Sequence, residues 1–148
     1  MSSLDRINQD LKTALRQHNE QDKSVLRMLL AEIKKYQKDK NKNQPLSEEQ
    51  AQDVITAYRS RLQKNAESYK AVGADDRAQQ ELGEMAIVER YLPERFSPEK
   101  TREIVLAASK SAGATSAKDM GRVMQEISQY KRAMDMGQAS ALLKEMLK

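Results

Sequence analysis

A chain of 148 residues with 26 Lys and Arg against 22 Asp and Glu carries a formal net charge of +4, and its lack of cysteine excludes disulfides and thiolate metal sites. Three prolines, five glycines and 4% aromatic residues, beside much Ala, Leu, Met, Glu, Lys and Gln, favour helix, because these side chains lose little rotamer freedom there. No stretch approaches the roughly 20 apolar residues that span a bilayer, and the amino terminus lacks an apolar signal core. The expectation is an all-α cytoplasmic protein with no membrane partner.

The first helix is predicted from a Ser3 cap with Asp5 in its first turn, and carries Leu4, Ile7, Leu11 and Leu15 at helical spacing. A break at His18, Asn19 and Glu20 precedes a second helix, expected after Asp22, with Val25, Leu26, Met28, Leu29, Leu30, Ile33 and Tyr36 as its apolar residues. Its lysine-rich end (Lys34, Lys35, Lys38, Lys40, Lys42) suits the negative end of the helix dipole, and Asn43-Gln44-Pro45 ends it. Ser47-Glu48-Glu49-Gln50 is a capping box for a long third helix. Its inward stripe is Val54, Ile55, Tyr58, Leu62, Ala66 and Tyr69, and Gly73 is a left-handed terminator. Asp75 or Asp76 should cap the fourth helix, with Leu82, Met85, Ala86, Val88 and Leu92 facing inward.

Pro93 cannot donate a helical hydrogen bond and biases Leu92 away from helix, so the fourth helix should stop there. Ser97-Pro98-Glu99 restarts the chain with a cap, a first-turn proline and an acid at the positive helix end. The expected organisation is a helical hairpin or bundle lobe over residues 1–92, a hinge over 93–96 and a three-helix tail over 97–148. Leu92 and Phe96, the only Phe, are read as anchors where the two parts meet. In the tail, Ile104, Val105 and Ala108 should face inward before Gly113. A sixth helix from Ser116 carries Met120, Val123, Met124 and Ile127, and a seventh from about residue 135 carries Leu142, Leu143, Met146 and Leu147.

Chemistry is sparse. The single histidine, His18, lies in a polar break, and no phosphate-cradling, dinucleotide, zinc-protease or nucleophile-elbow motif occurs. No catalytic residue, metal site, cofactor or small-molecule ligand is expected. Positive charge is unevenly spread: residues 97–148 hold nine Lys or Arg against six acids, a balance of +3 out of +4. Lys118 and Arg122 are four apart on one helical face, and Lys131 and Arg132 lie in the turn that follows that helix. These four are the candidate phosphate contacts, since guanidinium forks and ammonium groups bind phosphate oxygens and release counterions. Tyr130 is the sole aromatic beside them, so contact would read shape and backbone rather than stack on bases.

The run Gly113-Ala114-x-Ser116-x-Lys118-Asp119-Met120-Gly121-Arg122-Val123-Met124, after Tyr91-Leu92-Pro93-Glu94-x-Phe96-Ser97, resembles the GatB/YqeY family. The stretch Leu-Arg-Met-Leu-Leu-Ala-Glu-Ile-Lys at residues 26–34, and the chain length, resemble its free-standing YqeY-like branch. The resemblance implies an all-helical lobe followed by a three-helix tail. In the B subunit of tRNA-dependent amidotransferase the related tail helps engage tRNA, while catalysis belongs to other domains. The family is thereby linked to carbon–nitrogen ligase activity with glutamine as amide donor, and this chain contains neither the amidase nor the kinase part. One departure stands out. The family's glycine-containing turn after the sixth helix is replaced by Lys131-Arg132-Ala133-Met134-Asp135-Met136-Gly137, with Arg132 and Met136 where glycines are usual.

The leading expectation is a non-catalytic accessory module associated with tRNA or another RNA. Asp119 serves the sixth helix's amino end, and Gly121 lets a neighbouring helix approach. The second expectation is a protein-interaction or scaffold module, favoured by an exposed Met patch at Met120, Met124, Met134 and Met136. The third, an amidotransferase component acting as a ligase, would need a deep pocket with converging ionisable groups.

Overall fold

Helix starts in the computed structural model, which describes residues 1–148, are set by short polar side chains just outside the first turn. Helix α1 (Ser3–Arg16) is capped by Ser2, whose hydroxyl accepts the Asp5 N–H at 3.1 Å. Ser3 is therefore the first helical residue rather than the cap. It is buried and bonds the Glu48 carboxylate through both its N–H and its hydroxyl. Helix α2 (Glu20–Lys40) starts before Asp22, because Asn19 caps it by accepting the Asp22 N–H at 3.1 Å. His18, with φ of 55°, supplies the reversal between α1 and α2. Helix α3 (Glu48–Ala71) has the capping box in full: Ser47 and Gln50 each accept the other's N–H at 3.0 Å.

Helix α4 (Asp75–Glu89) follows Gly73, which takes φ of +76° and closes α3. Neither Asp75 nor Asp76 caps it. Ala74 holds that position without a side-chain bond, and both acids fall in the first turn, where the dipole favours them. Helix α5 (Pro98–Ser111) is capped by Ser97, with Pro98 in the first turn, and closes at Gly113, whose φ is +64°. A 3₁₀ turn (Ala117–Asp119) leads into α6 (Met120–Ile127), and a second 3₁₀ turn (Ser128–Tyr130) leaves it. Helix α7 (Met136–Met146) is capped by Asp135, which accepts the Gln138 N–H at 3.0 Å. The chain is all-α, with seven helices and no strand. None of them is long and apolar enough to cross a membrane.

The chain divides into two compact units, Met1–Leu92 and Pro93–Lys148. The first is built on Ile7, Leu26, Leu29, Ile55, Leu62, Val88 and Tyr91, all buried in one cluster with Val25, Ile33, Val54, Tyr58, Ile87 and Leu92. Three expected core positions lie at its edge instead: Leu15 (42% exposed), Met28 (50%) and Leu82 (38%). In α1 the buried pair is Ile7 and Ala14, two turns apart, and Leu15 is one residue round from that seam. In α4 the buried residues are Ala78, Ile87 and Val88, and Ala86 faces out.

Helix α4 ends at Glu89, and polar bonds tie its exit back to the earlier helices. The Tyr91 hydroxyl donates to Asp10 at 2.5 Å, Gln52 donates to the Tyr91 carbonyl at 2.6 Å, and Arg6 donates to the Arg90 carbonyl at 3.0 Å. Arg90 in turn pairs with Asp22 at 2.9 Å.

The second unit buries Val105, Val123, Ile127, Met134, Ala139, Leu143 and Leu147, with Ala108. Leu92 packs in the first core and Phe96 in the second, so each belongs to its own unit. The Phe96 ring sits 5.9 Å from that of Tyr130, and its N–H donates to the Ala133 carbonyl at 2.7 Å.

Candidate nucleic-acid interface

The four basic residues proposed from the sequence are divided between the two ends of α6. Lys118 lies in the entering 3₁₀ turn and Arg122 in the first turn of α6, both exposed. Lys131 caps the leaving 3₁₀ turn and is exposed, while Arg132 is half-buried beside it. Arg122 and Lys131 are nine positions apart, across the rest of α6 and the 3₁₀ turn that leaves it. The arrangement is two basic positions bracketing a helix rather than one tight cluster.

Asp119 organises the entering end. One carboxylate oxygen accepts the N–H groups of Thr115 and Ser116 at 2.9 and 3.3 Å, and the other takes the Arg122 guanidinium at 2.6 Å. The Thr115 N–H first, then Arg122, then the Ser116 N–H hold its carboxyl down at about 2. Asp119 therefore stays ionised at neutral pH, closes the turn that begins α6, and fixes the direction of Arg122. Its structural role was legible from the Ser116-x-x-Asp119 spacing. The bond to Arg122, three residues on, follows from the same helical geometry.

The leaving end is organised by backbone. Ala133 and Met134 donate to the Tyr130 carbonyl at 3.0 and 2.8 Å, and the Phe96 N–H meets the Ala133 carbonyl, so the turn carrying Lys131 and Arg132 is held at both sides. Arg95 reaches Asp135 at 3.8 Å, a pairing across 40 positions of sequence that no local pattern announced. Neither Arg132 nor Met136 has positive φ; among non-glycine residues only His18, Lys42 and Asn43 do. The turn is thus built without left-handed residues, and it does not need the glycines it lacks. Met136 is simply the first residue of α7.

Two expectations about this unit are corrected. A Cβ added at Gly121 would meet nothing within 4 Å, so no helix crowds it. The methionines form no exposed patch: Met134 is 1% exposed, and Met120, Met124 and Met136 pack against the core.

No group of three or more His, Asp or Glu side chains is placed to hold a metal ion. Among comparisons with known proteins, the family model described as "Yqey-like protein" matches residues 4–147. No curated protein matches the chain.

Proposed function

The chain belongs to the Yqey-like protein family, and from that premise we propose that it is a non-catalytic RNA-associated module whose second unit grips the phosphate backbone of a folded RNA such as tRNA. The observation that carries the reading is the exposed pair Lys118 and Arg122 at one end of α6 with Lys131 and Arg132 at the other. Two cationic points at opposite ends of α6 suit a rigid, folded polyanion better than one isolated phosphate. The family's relation to the tail of the amidotransferase B subunit supports tRNA as the first RNA to try. The amide-donor chemistry of that enzyme is no part of the proposal. The scaffold alternative is not favoured by the second unit's methionines, since Met134 is buried and Met120, Met124 and Met136 are partly buried against the core.

The test is fluorescence anisotropy with unmodified tRNA and a duplex RNA control across a salt series. Lys118→Glu, Arg122→Glu and Lys131→Glu are combined, because all three are exposed; Arg132→Glu is made separately, because that side chain is half-buried. The wild type should bind tRNA more tightly than duplex, with a logarithmic salt dependence. Each lost phosphate contact should flatten the slope by roughly 0.7–0.9. Absence of binding at low salt, or a triple variant that binds unchanged, sinks the reading.

A further inference from the structure

The first unit carries an elongated surface groove that the RNA reading does not use. Two open depressions, with cavity volumes of about 260 and about 440 Å³, lie end to end along α2 and α3 and share Glu32, Tyr58 and Arg61, the Glu32–Arg61 ion pair crossing between them at 2.8 Å. One is floored by Tyr36, Val54 and Ala57, the other by Val25, Met28 and Leu62. Along α2 the lining runs from Ser24 to Lys40, about 24 Å at helical rise. That length matches roughly four turns of an α-helix.

Charge along the groove is uneven. At the α2 carboxy-terminal end Lys35 and Lys40 balance Asp39 and Asp53. At the other end α4 presents Glu81 and Glu84. The only cation lining that depression is Arg61, already paired with Glu32 at 2.8 Å and stacked 5.0 Å from the Tyr58 ring centroid. Desolvation, then the neighbouring Glu81 charge, pushes the Glu84 carboxyl above its ordinary range. This end of the groove would gain from a positive charge. Met28, half exposed, offers an adaptable apolar wall beside it.

We propose that this groove docks an amphipathic helix of a partner protein, laid along α2 and α3 with its apolar face on Tyr36, Ala57 and Met28 and a basic residue against Glu81 and Glu84. The mode is helix-in-groove recognition: the apolar floor supplies affinity, and the acidic end sets direction. It is independent of the RNA proposal, which uses the other unit.

The test titrates isotope-labelled full-length protein with an amphipathic Leu/Lys peptide of about 16 residues, its lysines concentrated at one end. A Leu/Glu peptide of the same pattern is the control. The protein's net charge of +4 opposes the Leu/Lys peptide, so its preferential binding would report the local groove rather than the overall field. Saturable resonance shifts should gather at Met28, Tyr36, Ala57 and Glu81. A Glu81→Gln/Glu84→Gln variant should bind roughly tenfold or more weakly. It keeps the helix and removes a like-charge repulsion, so its circular dichroism should match the wild type.

Equal binding of the Leu/Glu peptide, shifts elsewhere, or an unaffected variant would overturn the proposal. Spermine reproducing the same shifts at equal affinity would make the groove a small-cation site instead. Broadening of the same resonances with protein concentration alone would make a second copy the occupant. Either result ends the partner-helix reading.

Discussion

The two units are held together in different ways. In the first, side-chain bonds reach across the sequence: Arg6 to Arg90, Tyr91 to Asp10, Arg90 to Asp22, Gln52 to Ser3, and Ser3 to Glu48. In the second, the polar bonds at Ser97, Asp119, Ser128 and Asp135 join residues three or four apart. The Arg95–Asp135 pair and the Phe96–Ala133 backbone bond are longer-range links there. Long bonds close large loops and so order several helices at once, whereas local bonds order one turn. A unit tied mainly by local bonds depends on its apolar core for tertiary order. In the second unit that core is small, made of Val, Ala, Met and a few Leu and Ile side chains.

The comparison breaks most visibly at the core. Leu143 is fully buried, and Leu143→Ala should cost roughly 2–5 kcal/mol. A core this small rarely provides more than about 3–5 kcal/mol, so hydrogen exchange should rise across α5 to α7 while amides of α1 to α4 stay protected. Equal loss of protection in both units would mean that they unfold together and that the contrast has no thermodynamic content.

A smaller effect is expected where the first unit's network is cut. Tyr91→Phe removes the bond to Asp10, for roughly 1–2 kcal/mol, read as a lower denaturation midpoint with an unchanged slope. Burial, then the bond to Asp10, raises the Tyr91 phenol above its ordinary value. The folded state therefore holds this proton more tightly than the unfolded chain does. Wild-type stability should decline as pH rises past about 10, where the unfolded phenol ionises, and the Phe variant should lack that component. A wild type and variant with the same alkaline slope would remove Tyr91 from the account.

The smallest effect concerns the second unit's local bonds. Asp119→Asn keeps an acceptor for the Thr115 N–H but loses the charge that Arg122 meets, so the melting temperature should fall by only about 1–3 °C. The carboxyl's pKa is depressed to about 2 in the folded state. Its contribution is present above the unfolded value near 3.9 and should fade as pH drops toward 2. The Asn variant should show a shallower acid slope. A drop as large as that for Tyr91→Phe would mean that the Asp119 bonds order more than their own turn.

Much of the fold was legible because helix capping is a local affair. Ser47 with Gln50, Ser97 with Pro98, and Ser116 with Asp119 each lie within four residues, and each marks a helix start in the structure. Where the reading slipped, it moved a helix start by one to three residues: Ser3 for Ser2 as cap, a start after Asp22 rather than Asn19, and Asp75 or Asp76 for Ala74. Apolar character alone placed Leu15, Met28 and Leu82 inside, yet burial depends on which helix lies opposite, and that is not written in one helix's periodicity. Arg59 passed without notice, although it is 2% exposed on the same α3 face as Ile55 and Leu62. The basic candidates were found as residues, with Lys118 and Arg122 on the sixth helix and Lys131 and Arg132 in the turn after it, but the half-burial of Arg132 required the tertiary structure.

By itself, then, the sequence determined the helical class, the breaks at Gly73, Pro93 and Gly113, and the position of the charge excess, because dihedral preference, capping and net charge act within a few residues. Tertiary structure alone decided the rest. It joined Arg95 to Asp135 and Tyr91 to Asp10, packed the second unit's methionines against its core, and left open depressions along the α2–α3 seam. Those features depend on residues tens of positions apart meeting in space, and the energy of such a meeting has no local signature.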